Sequence, residues 1–182
     1  MTEKELLKIF KKPIGKKDVL SLAHQYSEFP DFTRHLIELS FHSEQEVAFR
    51  SAWVLEYCMM LYPKAMTDHL DYFLEAYPKQ NNLSCKRHFT KLMMSLSEPG
   101  NHKLLHQCNL NPVIETTFEW LINPGTPVAV QVNCLDILFN LRSHGDWIEG
   151  ELNAQIEFLL KDGTAAMQSR GKRVLKQLNS IK

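Results

Sequence analysis

Four segments of the chain repeat one spacing of apolar residues. In the first, from Glu44 to Tyr62, residues Phe49, Trp53, Tyr57 and Met60 fall on one stripe of a helix turning about 100° per residue. Cys85, Phe89, Met93 and Leu96 reproduce the series, as do Val130, Cys134, Leu138 and Leu141, and then Met167, Gly171, Leu175 and Leu178. Gly171 is the one departure; it lets a neighbouring helix come close or weakens its own by about 1 kcal/mol. A polar residue follows the first apolar one each time: Arg50, Lys86, Gln131 and Gln168. Successive copies start 36, 45 and 37 residues apart, counted from Phe49 through Cys85 and Val130 to Met167. A period near forty residues, with two helices in each unit, is the mark of an α-solenoid.

A partner helix precedes each copy. Its apolar residues are Phe32, Leu36 and Leu39 in the first unit, and Met66, Leu70, Phe73 and Tyr77 in the second. Ile114, Phe118 and Leu121 serve the third, and Ile148, Leu152, Ile156 and Leu159 the fourth. The pattern predicts an all-α fold, a right-handed superhelix of about four helical hairpins over residues 30–182. Residues 1–29 form an N-terminal helical cap, and residues 1–182 read as a single domain. Asp18, Asp31 and Asp146 are placed to cap helices, and Ser43 with Glu46 spells a capping box. Tyr62-Pro63 and Tyr77-Pro78 end helices, because proline disfavours a helical residue before it. Residues 98–112 are the least regular stretch, account for the longest spacing and contain one short extra helix.

Phe49-Arg50 followed by Ala52, Trp53 and Leu55 resembles the second helix of a HEAT unit, and most of residues 30–180 resembles the HEAT and armadillo class. The segment from Arg50 to Tyr57 is also similar to short bacterial HEAT-like proteins that sometimes carry an adenylosuccinate lyase label. Lyases of that superfamily carry a serine loop resembling S-S-x-M-P-x-K-x-N, whereas this chain contains no Met-Pro dipeptide. Arg50, Trp53 and Glu56 resemble, in residue type, the inner face of the HEAT-like alkylpurine DNA glycosylases.

Composition narrows the classes further. At 182 residues, 44% hydrophobic and 23% charged, the chain is that of a soluble globular domain. No apolar run approaches the roughly 20 residues of a membrane span. The N-terminal MTEKELLKIFKK carries charge inside its apolar part, unlike a secretory signal, and a cytoplasmic location is expected. Cys58, Cys85, Cys108 and Cys134 are widely separated and expected to be free thiols. Residues 1–17 carry six lysines against two glutamates, and residues 163–182 five basic residues and no acid. The middle then holds ten basic and nineteen acidic residues, a poor match to a duplex-binding surface.

Two clusters hold candidate chemistry. His102 and His106 would share a helix face near Cys108, a weak zinc candidate that still needs a ligand such as His88 or Cys85. Glu56 takes the repeat position of Leu92, Ile137 and Val174, where a carboxylate is desolvated unless paired; Arg34 and His35 are its candidate partners. Phosphate-binding glycine loops, a G-x-S-x-G elbow and H-E-x-x-H are absent, and no cofactor is expected. The function expected is non-catalytic recognition of a protein or peptide on the concave face of the second helices. Arg50, Glu56, Lys86, Arg87, Gln131 and Gln168 are expected to line it. A nucleic-acid-binding or DNA-repair role is the alternative, and a small-molecule lyase the third.

Overall fold

The computed structural model describes residues 1–180, the side chains of Pro30, Pro63, Met66 and His102 excepted. Among the described residues there is no strand. Helices α1 (Glu3–Phe10), α2 (Lys16–Tyr26), α3 (Pro30–Leu39) and α4 (Gln45–Leu61) are followed by α5 (Pro63–Asp68), α6 (Leu70–Ala76) and α7 (Leu83–Leu96). A short α8 (His102–Leu105) fills the irregular stretch, and α9 (Asn111–Ile122), α10 (Val128–Asn140), α11 (Asp146–Leu159) and α12 (Ala165–Asn179) complete the chain. The hairpins are α3/α4, α5–α6/α7, α9/α10 and α11/α12, with α4, α7, α10 and α12 as the second helices expected from the repeat; α1, at the N-terminal end, packs on α3 and α4.

Local chemistry sets the helix ends, though not always with the caps the sequence suggests. Thr2 and Glu5 form a reciprocal capping box at α1. Gly15 is the N-cap of α2, and Asp18 sits inside the first turn with its Oδ2 accepting the Gly15 N–H at 2.8 Å. Pro30 opens α3 behind Phe29, because its fixed φ suits the first helical position; Asp31 therefore lies in the first turn, where its charge favours the helix dipole. The Ser43–Glu46 box does not form: Glu44 is the N-cap of α4, and its N–H donates to His42 Nδ1 at 3.0 Å. Asp146 is the first residue of α11 rather than its cap. The first helix of the second hairpin is split into α5 and α6 at His69, whose φ of −124° and ψ of 16° leave the helical region.

The chain divides into two compact units, Met1–Leu92 and the part from Met93 on. In the first, α4 packs on α3, its hairpin partner, and on α2, the second helix before it. Its core includes Phe10, Phe32, Phe73 and Phe89, all fully buried, with Phe89 5.2 Å from Phe73 and edge-on to Phe41 at 6.0 Å. In the second unit α10 packs on α9 and α12 through Val130, Cys134 and Leu138. A Cβ at Gly171 of α12 would stand 3.1 Å from Leu160 and 3.2 Å from Ile156, so the glycine admits α11 closely, as its place in the repeat suggests. Gly163, in the α11–α12 turn, is more constrained: a Cβ there would lie 2.4 Å from the Leu159 carbonyl oxygen. Gly163→Ala must shift backbone and should destabilise by about 1–3 kcal/mol in urea unfolding; an unchanged midpoint would show that the turn yields freely.

In α4 the buried stripe is not the one its large residues mark. Phe49 and Met60 are 36% and 49% exposed, and Trp53 and Tyr57 are half-buried. The buried face runs through Ala48, Ala52, Leu55 and Met59, one residue earlier at the start. Small side chains there let α2 and α3 approach, and α4 is apolar nearly all round, so periodicity alone does not single out the packed face. The corrected start, Ala48, lies 37 residues before Cys85, so the repeat runs 37, 45 and 37. Leu55 then matches Leu92, Ile137 and Val174, all fully buried, and Glu56 moves to the position of Met93, Leu138 and Leu175.

Candidate functional site

Glu56 is 6% exposed on α4, among apolar neighbours, and α7 supplies what a buried carboxylate needs. His88 Nδ1–H donates to Glu56 Oε2 at 2.6 Å, and Lys91 Nζ donates to Oε1 at 2.9 Å. His88 and Lys91 stand three residues apart, one turn on α7, and grip both oxygens. Burial pushes the Glu56 carboxyl up, but the bonds from His88 and Lys91 outweigh it and hold the group below the ordinary carboxylate range. Arg34 and His35 are not its partners. Arg34 turns outward to Glu38 at 3.0 Å and stacks on Tyr72 of α6 at 4.8 Å.

The polar row following each first apolar position has two different fates. Gln131 Nε2 donates to the Leu121 carbonyl at 3.0 Å and the Asn123 carbonyl at 3.3 Å, and Gln168 Nε2 donates to the Leu160 carbonyl. Each glutamine thereby occupies carbonyls at the end of the preceding helix, which no intrahelical N–H reaches. Arg50 donates from Nη1 to the Phe10 carbonyl at 2.6 Å. Lys86 is half-buried, and Arg87 is exposed with no partner among the described residues. In the corrected register Arg50 pairs with Arg87, 37 residues on, whereas Lys86, Gln131 and Gln168 share the position of Phe49.

A second carboxylate cluster has no counterpart in the sequence reading. Asp136 of α10, 8% exposed, accepts from Arg170 Nη1 and Arg173 Nη2 of α12. Burial and the neighbouring Arg173 charge both push the Arg170 guanidinium down from its ordinary value. Arg170 and Arg173 occupy the repeat positions of His88 and Lys91, so two basic side chains one turn apart grip a carboxylate of the preceding second helix in each unit. The signal available was that α7 and α12 both carry basic residues and no acid.

The metal candidate gains no ligand set. The His102 side chain lies outside the described residues, α8 is only four residues long, and His106 follows it, exposed. His88 is committed to Glu56, and Cys85 is fully buried, its thiol pushed up to about 12 by desolvation. No group of three His, Cys, Asp or Glu side chains able to hold a metal gathers among the described residues. No disulfide joins any of the four cysteines.

What remains is a face rather than a cleft. Phe49, Trp53, Tyr57 and Met60 run along the outward side of α4, with Phe49 5.9 Å from Trp53 and its ring 5.3 Å from His88 of α7. The Glu56–His88–Lys91 cluster ties α7 to α4 beside this stripe, so the aromatic row and the basic helix are held together. No described helix is long and apolar enough to cross a membrane.

Comparison with known proteins agrees with the repeat. No curated protein sequence and no solved structure matches the chain. A family model described as a HEAT repeat domain matches residues 6–178. With successive helical hairpins, apolar second helices at a period near forty and that match over nearly the whole length, the chain belongs to the HEAT repeat family.

Proposed function

We propose that this chain is a non-catalytic binding module that recognises a protein or peptide on the outward face of α4 and the adjoining part of α7. The observation that carries the reading is the apolar stripe Phe49, Trp53, Tyr57 and Met60, left half-buried or exposed on a helix whose opposite side is fully packed. A helix apolar all round is normally enclosed, and an uncovered row of large side chains marks a surface made to be covered. Aromatic side chains are also the residues that most often dominate binding energy. Family membership supports the reading, HEAT repeats being in general protein-interaction scaffolds.

The carboxylate clusters support a structural role for their charges. Glu56 and Asp136 each have both oxygens occupied by side chains of the next second helix, which leaves neither poised for proton transfer to a substrate. The test is affinity capture from native lysate at low and high salt, with the wild-type chain beside Met60→Glu. Met60 is 49% exposed, so the variant should keep its stability within about 0.5 kcal/mol. A discrete protein retained by the wild type at high salt and lost by Met60→Glu is the expected result. Capture of nucleic acid alone, released by salt, would replace the reading with the DNA- or RNA-binding one.

A further inference from the structure

Resting on the reading that the α4 face takes a protein segment, we infer that this segment is acidic. Its carboxylates pair with Arg50 and Arg87 on either side of an apolar anchor seated on Phe49 and Trp53. Arg50 and Arg87 hold the same repeat position on consecutive second helices, 37 residues apart in sequence. Arg50 follows Phe49 directly, and Arg87 precedes His88, whose ring lies 5.3 Å from that of Phe49. One arginine thus adjoins Phe49 in sequence, and the other adjoins the histidine whose ring lies beside it.

Neither positive charge is cancelled within the chain. Arg50 donates to the Phe10 carbonyl, a neutral acceptor, and Arg87 has no partner among the described residues. Lys91, by contrast, is bonded to Glu56 and contributes no net charge to the face. Helix α7 carries no acid at all, and the acids of α4 are Glu56, already occupied, and Glu46 at its first turn. This is a basic spot on a chain whose middle is acidic overall, so an acidic partner is drawn to this face and repelled by much of the rest.

The spacing adds a constraint. Neighbouring packed helices lie roughly 8–10 Å apart, and an extended chain advances about 3.3 Å per residue. Two carboxylates three residues apart on an extended segment match the separation of the two arginine positions, with the residues between them over the aromatic row. Guanidinium–carboxylate pairs of this kind are bidentate and directional, which favours arginine over lysine at both positions.

A displayed library of random dodecapeptides, selected on the full-length chain, tests this. Enriched sequences should carry two Asp or Glu three apart with an apolar or aromatic residue between them. Their affinity should fall about tenfold or more for Arg87→Glu, and several-fold for Arg50→Gln, with circular dichroism unchanged. Arg87 is exposed, so its reversal does not threaten folding. Enriched peptides with no acidic bias, still lost on Trp53→Ala, would overturn the acidic partner while leaving the protein-binding reading intact. No enrichment, or binding indifferent to Trp53→Ala, would sink both. A random single-stranded oligonucleotide that binds the wild type and is lost on Arg87→Glu would hand the face to nucleic acid and overturn the inference.

Discussion

Glu56→Ala is expected to lower the unfolding free energy by about 3 kcal/mol in urea titration at pH 7. The carboxylate is 6% exposed at a repeat position that Met93 and Leu138 fill with apolar side chains. Its removal strips His88, itself 7% exposed, of its Nδ1 acceptor, and His88 Nε2 already has no partner among the described residues. Lys91 is 38% exposed at its side chain and can turn to water, which keeps the cost at the lower end of that for a broken buried pair. Replacing the pair together, Glu56→Leu with His88→Leu, should restore most of that loss, because an apolar pair needs no hydrogen bonds. The sign of the pH dependence follows from the direction of the shift. The folded-state value lies below the ordinary 4.5, so the contribution is complete above about pH 4.5 and is lost as pH falls through the folded-state value. The deficit of Glu56→Ala should therefore shrink in acid. A deficit of the same size at pH 7 and pH 3, or none at either, would show that the buried pairing does not stabilise the fold.

Phe89→Ala should cost about 3–5 kcal/mol, the range for emptying an aromatic site in a core that cannot collapse. Phe89 is fully buried against Phe73 and Phe41, and rings fill that space where other repeats place Ala52, Cys134 or Gly171. Trp53→Ala provides the contrast. Trp53 looks like a core residue in the repeat series, but its ring is half-buried beside Phe49, and the variant should lose only about 1 kcal/mol. Thermal and urea unfolding of the two variants side by side would decide the matter. Equal losses would place Trp53 in the core and remove the stripe on which the binding face depends.

The contrast also shows what could be read from residues alone. In α7, α10 and α12 the apolar positions fall mainly on the packed side, and their spacing gives hairpin, period and buried face together. In α4 several stripes are equally apolar, and the largest residues draw the eye to the wrong one; Ala48, Ser51 and Ala52 form the packed side because two neighbours come close there. Glu56 stands out as a charge at an apolar position, yet its partners come 32 and 35 residues later, a distance that no local pattern encodes. Asp136 carries no local signal, because its neighbours on α10 are those of any buried helix and its arginines lie one hairpin further along. The polar row is not uniform either: Arg50 falls in register with Arg87, whereas Lys86 shares its position with the two glutamines.

Those glutamines have a kinetic consequence. Gln131 reaches back ten residues to Leu121, and Gln168 eight residues to Leu160, so each joins the two helices of its own hairpin. Closing so short a loop costs little entropy and takes well under a microsecond, far less than docking distant elements. The α9/α10 and α11/α12 hairpins thus each have a latch that can engage before their neighbours arrive, and folding can begin at more than one place along the chain.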